Sequence, residues 1–547
     1  MKSNKNKLIA LILIVLLAFF LRIYQIGSIP PSLTWDEVAW GYNSYSLGID
    51  GKDEFGVFLP YKYIESFGDF KPPLYAYVGI IPVKIWGLTE FATRFPSAFF
   101  GVLTVFITYF LVREIFSNSL RKEYYALFTA FLLAISPWHI NLSRAAFEAN
   151  VSQFFIVGGV LAFLYAVRKF PWVMVFSAAS FALSFYTFNT ARVFVPILVI
   201  ILGLVFIKRL FKIKRQAIIA GVVGIALLLP IIGFLLSPQA SLRFREVNIF
   251  TNSDIVEIAN QEILNDYNSP ISKILHNRRL KYAVSFVSHY LDHLDPRFLF
   301  ITGDGNPKFS TQDIGQLYIW SIPFLIGGVL LLFRKREGKW WLVPVWLLTG
   351  IIPAATARET PHALRIETVI PMFQIIVAYG FINMMVILKN KIKKVLIFKI
   401  SLVGILLCLL FNFGYYLYGY YVHYAREYSG QWQYGYKQAF SYTEQNKDYY
   451  DEIYFTDKLG RPYIYYLFYA GITPEEFRRN SEVERDSFGF VKVKKVGKYN
   501  FNDNLDIEQK GIRMLYINDS LNVPDDANVL QTINQLNGES SLIIYTR

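Results

Sequence analysis

Apolar runs dominate the 547-residue chain, and they come in lengths that match a lipid bilayer. Spans of about 20 apolar residues cross the hydrocarbon core as helices. Segments of that kind fall near 8–24, 95–116, 124–140, 150–167, 172–189, 193–207, 216–236, 317–333, 340–355, 366–388 and 395–418. The pattern predicts an α-helical polytopic membrane protein of about eleven transmembrane helices. Segment 74–88 is shorter and interrupted by Pro82 and Lys84, so it is expected to lie at the interface or re-enter the membrane. Beyond residue 419 the helical hydrophobicity gives way to strand-like runs at Glu452–Thr456, Phe488–Val493, Met514–Ile517 and Leu542–Tyr545, with helix-like stretches at 433–446 and 462–470. Those runs predict a small α/β domain.

Polar positions set the topology. Lys2, Lys5 and Lys7 precede the first span, and further basic loops hold Arg121 and Lys122, Arg168 and Lys169, Lys208 to Arg215, Arg334 to Lys339, and Lys389 to Lys394. With eleven crossings all of these share one side, which the positive-inside rule makes cytoplasmic. The expected division is a membrane module over 1–422, with external loops 25–93 and 237–316, and an extracytoplasmic α/β domain over 423–547. The first span leads into Arg22 and Tyr24 without a small-residue cleavage pattern, so a retained helix is expected.

Composition narrows the class. Hydrophobic residues make up 54% of the chain and charged residues 18%, with a mean hydropathy of +0.33, which excludes a soluble enzyme. The net charge of +14 resides mainly in short loops, where it marks topology and contacts with anionic membrane lipids rather than nucleic acid. The single cysteine, Cys408, rules out an intrachain disulfide and a cysteine-based zinc site. No GxGxxG, GxxxxGK[ST], GxSxG or HExxH pattern occurs, so nothing supports nucleotide binding or ATP hydrolysis.

Candidate chemistry gathers at the outer ends of the spans. Asp36 and Glu37 follow Trp35 just beyond the first span. They suit a helix N-cap with acidic first-turn residues, or a general base near the headgroup plane with a partner that orients it. Lys71 opens the Lys71-Pro72-Pro73-Leu74-Tyr75 stretch, as a snorkelling lysine or as a cation for a lipid phosphate. Arg94, Arg144, Arg192, Arg358 and Arg365 occupy outer loop positions where positive charge is normally sparse. Arg144 and Glu148 stand four apart, a spacing for an intrahelical pair or for ligand contacts. Arg358, His362 and Arg365 put three phosphate donors in one short loop. His289, Asp292, His293 and Asp295 read as a surface helix, and Gly303-Asp304-Gly305-Asn306 as a turn.

The order W35-D-E, K71-P-P-L-Y, R94-F-P-S-A-F-F-G resembles the GT-C glycosyltransferases of the protein O-mannosyltransferase and lipid A aminoarabinose transferase type, particularly their bacterial relatives. The resemblance is strongest over 30–116, continues through S143-R-A-A-F-E-A-N and T360-P-H-A-L-R, and fades over 419–547. It implies a GT-C fold and inverting transfer of a sugar from a polyprenyl-phosphate donor to an acceptor hydroxyl of a protein, lipid or glycan. In that scheme Asp36 is the base and Glu37 its neighbour; Lys71, Arg94, Arg358, His362 and Arg365 hold the donor phosphate; and Trp35, Tyr75, Arg144, Glu148 and Arg192 line the substrate. No cofactor is implied beyond the donor itself, and room is left for a divalent metal. The alternatives are a transporter or flippase of lipid-linked sugars, which calls for polar residues at the bilayer midplane and internal repeats, and a non-catalytic scaffold presenting the C-terminal domain. Neither the polar midplane nor the repeats are visible.

Overall fold

In the computed structural model, all residues are described except 1, 238–239, 241–246, 393–394, 486–490, 503–504 and 506–510. Each of the eleven apolar segments coincides with helix. Helix α1 covers Lys2–Ile23, α4 Glu90–Ile115, and α7 Glu148–Arg168. The 124–140 segment is a bent pair, α5 (Lys122–Ala134) and α6 (Pro137–Arg144), with 54° between them. The bend falls at Ser136-Pro137, where proline removes a helical N–H. Among the described residues six helices are long and apolar enough to cross a membrane, or seven if the bent pair counts as one. Several of the remaining apolar segments form shorter helices, such as Ala191–Val205 and Leu342–Ala355. Segment 74–88 is a 13-residue helix, α3 (Leu74–Trp86), with Pro82 inside it.

Contacts divide the chain into two units. One holds residues 1–21, 100–142 and 149–416, which are the bulk of the apolar helices. The other holds residues 22–99, 143–148 and 417–547.

The second unit combines helix α2 (Trp35–Asp50), the hairpin β1 (Ile64–Ser66) and β2 (Asp69–Lys71), α3 and the C-terminal domain. That domain is built on a seven-stranded sheet in the order β4-β5-β6-β3-β7-β9-β8. Its centre, β3 (Glu452–Thr456), runs parallel to β6 (Tyr499–Asn502) and β7 (Met514–Asn518). The flanks, β4 (Ser481–Arg485) with β5 (Val491–Val496) and β8 (Asn528–Asn534) with β9 (Ser540–Thr546), are antiparallel. Helices Tyr436–Asn446 and Pro462–Tyr469 cover the sheet. Three of the four expected strands appear at their expected places; of the run Phe488–Val493, residues 488–490 lie outside the described residues, as do Lys393 and Lys394 of the third basic loop. Strands β4, β6 and β8 carry no strong apolar run. β4 and β8 are mostly exposed edges, and β6 has only four residues.

One apolar core joins α2 to the C-terminal domain. Val38, Ala39 and Tyr42 from α2 pack in the same buried cluster as Tyr436, Phe440, Tyr465 and Phe468.

Candidate active site

Helix α2 begins with a capping box. The Thr34 hydroxyl accepts from Glu37 N, and Thr34 N donates to Glu37 Oε2 at 3.0 Å. The helix-capping expectation for the acidic pair is met, and Glu37 is the residue that meets it. Glu37 is fully buried, and its carboxylate accepts four hydrogen bonds: from Thr34 N, from Ala146 N at 2.9 Å, and from Arg94 Nε at 2.8 Å and Nη2 at 3.2 Å. Asp36, about 100° further round the helix, keeps 53% of its side chain exposed and pairs with Lys71 Nζ.

Arg94 is also fully buried. Its five N–H groups meet Glu37 twice and the carbonyls of Ile26, Pro30 and Ser32. A guanidinium has five donors, so none is left for a ligand in this arrangement. The donor-phosphate role expected for Arg94 does not fit; its position is structural. The outer-loop charge in this case neutralises a buried carboxylate and caps three carbonyls of the 26–32 segment that leads from α1 to α2.

Lys71 arrives on the hairpin. The turn Phe67-Gly68 has φ of +61° and +80° at its two central positions, the pattern of a two-residue type I′ connection. Lys71 is buried, with Nζ 5.4 Å from the Trp40 ring centroid and 5.3 Å from that of Phe67. Burial works against its charge, but Asp36 and Asp69 outweigh it and raise the lysine above its usual range. It does not snorkel. Trp40 stands four residues after Asp36, hence on the same helix face. Its side chain hydrogen-bonds Glu148, which begins α7 beside Lys71 and Asp36.

The other expected residues of this unit are also placed. Tyr75 is buried, packs on Trp40 with ring centroids 5.5 Å apart, and donates its hydroxyl to Thr93 O at 2.9 Å. Arg144 is buried against the Tyr420 and Tyr421 rings, each 5.2 Å away, and donates to Tyr420 Oη and Ile29 O. Trp35 N donates to Gln433 Oε1 at 3.2 Å, and Tyr465 Oη donates to the same oxygen at 2.8 Å.

A second acidic pair in this unit, Asp53 and Glu54, is buried and was not singled out in the sequence. Glu54 is fully buried; it takes hydrogen bonds from Ser66 Oγ at 2.8 Å and Asn43 Nδ2 at 3.4 Å, tying α2 to the hairpin. Burial pushes its carboxyl up to about 8.

The remaining expected residues belong to the other unit. Arg358 donates to Asn248 O and Thr251 Oγ1. Arg365 donates to Glu359 O at 3.1 Å, with the Glu359 carboxylate 3.7 Å away. His362 packs on Phe309, and burial together with Arg365 and His293 holds its pKa well below the usual imidazole range, so it is a neutral ring. Asp304, read from sequence as only a turn residue, accepts from Ala363 N at 2.6 Å and Asn306 N at 2.8 Å, and its carboxylate lies 4.0 Å from His362 Nδ1. Burial raises it to about 6. Arg192 donates Nε to Phe185 O, while its buried Nη2 meets no hydrogen-bond acceptor among the described residues. His289 and His293 bond to backbone carbonyls, consistent with a structural helix. Among the described residues no group of three or more His, Cys, Asp and Glu side chains is gathered as a metal site.

Residues 12–242 match the family model described as dolichyl-phosphate-mannose-protein mannosyltransferase. In fold, the chain is similar to the crystal structure of ArnT from Cupriavidus metallidurans in the apo state, with a TM-score of 0.54 at 12% identity over 100% of this chain and 98% of that one. The same protein bound to undecaprenyl phosphate gives a TM-score of 0.53 at 13% identity, covering 98% and 97%. The Archaeoglobus fulgidus oligosaccharyltransferase in the apo form gives 0.50 at 13% identity, covering 94% of this chain and 69% of that one. No curated protein sequence matches. Fold similarity along the whole chain and helices long and apolar enough to cross a membrane together define a multi-pass membrane protein with the fold of these structures. The sequence similarity is to the mannosyltransferase family and is confined to residues 12–242.

Two outcomes test this geometry. Replacing Arg94 with Met leaves Glu37 buried without its countercharge and is expected to cost about 3–5 kcal/mol, read as a lower thermal midpoint of the purified protein; an unchanged midpoint would show that the pair is not structural. Glu54 holds a proton in the folded state between its unfolded value near 4.5 and about 8, so its contribution to stability falls as pH rises through that window. Glu54→Gln removes that titration, and its stability advantage over the parent is expected to grow from pH 5 to pH 8.5. Parallel stability curves would contradict the assignment.

Proposed function

We propose that this protein transfers a sugar, with inversion, from a polyprenyl-phosphate donor to an acceptor hydroxyl at the outer face of the membrane. The observation that carries the reading is the division of labour in the acidic pair: Glu37 is saturated and buried, while Asp36 is half exposed and paired with Lys71. The undecaprenyl phosphate bound to the similar ArnT structure supports a lipid-phosphate donor. The basic loops support an N-terminus in the cytoplasm and the C-terminal domain outside it.

In this mechanism Asp36 takes the proton of the acceptor hydroxyl, whose oxygen attacks the anomeric carbon opposite the phosphate. The bond from that carbon to the phosphate oxygen breaks, and the electron pair leaves with polyprenyl phosphate. Charge builds on the sugar ring as in glycoside hydrolysis. Lys71 is the cation closest to the base, and its ammonium has two roles. It holds the Asp36 carboxylate in the resting site. On donor binding it turns to the phosphate, which removes the base's counter-ion and makes Asp36 a stronger acceptor of the proton. Arg365 and Arg358 supply fork-shaped donors for a phosphate, and neutral His362 supplies a ring N–H rather than a charge. Arg192, with a buried N–H still available, is the further arginine suited to a ligand oxygen. Trp35, Tyr75, Arg144 and Glu148 shape the walls around the base. The sugar and the class of acceptor are left open by this chemistry.

A positioned base contributes on the order of 10²–10⁴-fold, so Asp36→Asn is expected to reduce sugar transfer by at least that range while membrane insertion and thermal midpoint persist. Transfer at the parent rate would remove Asp36 as the base. Arg365→Ala is expected to weaken use of the lipid-phosphate donor by about a hundredfold in kcat/KM, on the scale of a lost anion-stabilising donor (about 3 kcal/mol); unchanged donor kinetics would refute its role.

A further inference from the structure

A cavity of about 520 Å³ opens where α4 and α7 end and α5 begins. It lies wholly within the unit that contains the apolar helices. We propose that it binds one anionic glycerophospholipid, with an acyl chain along its apolar wall and the headgroup phosphate at its basic rim. The proposal does not depend on the transfer reaction.

The wall carries Phe110, Leu161 and Ala162. The rim carries four cations, Arg113, Lys122, Arg168 and Lys169, against a single lining carboxylate, Glu114. The two arginines are largely compensated. Arg168 grips Glu114 through two N–H groups, and Arg113 Nε lies 3.0 Å from Glu123, whose other oxygen accepts from Tyr109. The lysines differ. Lys122 Nζ donates to Ser117 O at 3.3 Å, and Lys169 Nζ lies 5.9 Å from the Tyr165 ring centroid. Neither ammonium meets a carboxylate within ion-pair distance among the described residues, so the rim keeps positive charge that the protein itself does not neutralise.

An occupant must satisfy both surfaces. A soluble anion such as inorganic phosphate would answer the lysines and leave the apolar wall wet. A zwitterionic lipid would fill the wall but bring its own cation to the rim. An amphiphile with net negative charge at one end fits the two together, and α4 and α7 are both long and apolar enough to span a bilayer. In the orientation proposed above, this end of the helices faces the cytoplasm.

The test uses the full-length protein in nanodiscs of phosphatidylcholine with a minor fraction of phosphatidylglycerol of matched chains, with lipids retained after extraction counted by native mass spectrometry. The parent is expected to retain phosphatidylglycerol in preference to phosphatidylcholine. Lys122→Gln with Lys169→Gln is expected to lower that preference roughly 30-fold, as two surface cations would. Leu161→Trp, which fills the apolar wall and leaves every charge in place, is expected to evict the lipid as well. Thermal midpoints of both variants verify folding. Equal retention of the two lipids by the parent, or an unchanged preference in either folded variant, would overturn the proposal. Displacement of the lipid by millimolar inorganic phosphate alone would assign the site to a free anion and overturn it too.

Discussion

The buried ion pair between Glu37 and Arg94 is the constraint on which the site's arrangement rests. Taking two charges out of water is costly, and their attraction offsets the cost only when the remaining donors and acceptors are satisfied. Here they are. Arg94 meets three carbonyls from the 26–32 segment in addition to Glu37, and Glu37 meets two backbone N–H groups, from Thr34 and Ala146. One pair thereby fixes the loop after α1, the first turn of α2, the first turns of α4 and the turn before α7. Removing either partner would strand the other charge, so none of these four segments can shift independently of the rest.

That fixation makes Asp36 available. Successive helical residues point about 100° apart, so a neighbour locked inward by Arg94 leaves Asp36 facing away from the interior. Lys71 is placed against it with comparable care. The hairpin turn sets where β2 ends, Ile64 pairs across from Lys71, and Glu54 with Asn43 and Ser66 ties the hairpin to α2. Between two aromatic faces the ammonium has few partners other than the carboxylate it meets. The backbone around both groups is thereby fixed, so that only the end of the lysine side chain is left to move.

Much of this was legible in the chain, and what was not failed for identifiable reasons. The apolar runs gave helix positions well because bilayer length is a strong constraint. Thr34-x-x-Glu37 is a capping signature that sequence carries outright, and the capping box is there. What sequence cannot display is a partner. Arg94 looked like an outer-loop phosphate donor because its acceptors are mostly backbone carbonyls, which every residue has. His362 was grouped with the two arginines as a phosphate donor because burial, which sets it apart from them as a neutral ring, is not visible in residue type. Asp304 looked like a turn because its carboxylate is joined to the 362–365 loop nearly 60 residues away. The Ile64–Lys71 hairpin went unseen because its turn is Phe-Gly, with an aromatic residue at a positive φ where Asn or Asp would have signalled a turn.

The C-terminal domain is where the family resemblance fades, yet it is not an appendage. Gln433 caps the backbone N–H of Trp35, the residue before Asp36, and Tyr465 bonds both that amide oxygen and Leu33 O. Trp432 lies under the Arg94 guanidinium at 5.6 Å, and the buried face of α2 shares its core with the helices over the sheet. The first turn of α2 is thus held from one side by Arg94 and from the other by residues 432–468. A domain whose core includes α2 cannot be exchanged or loosened without moving that helix, which argues against a display role and makes the domain part of what positions Asp36.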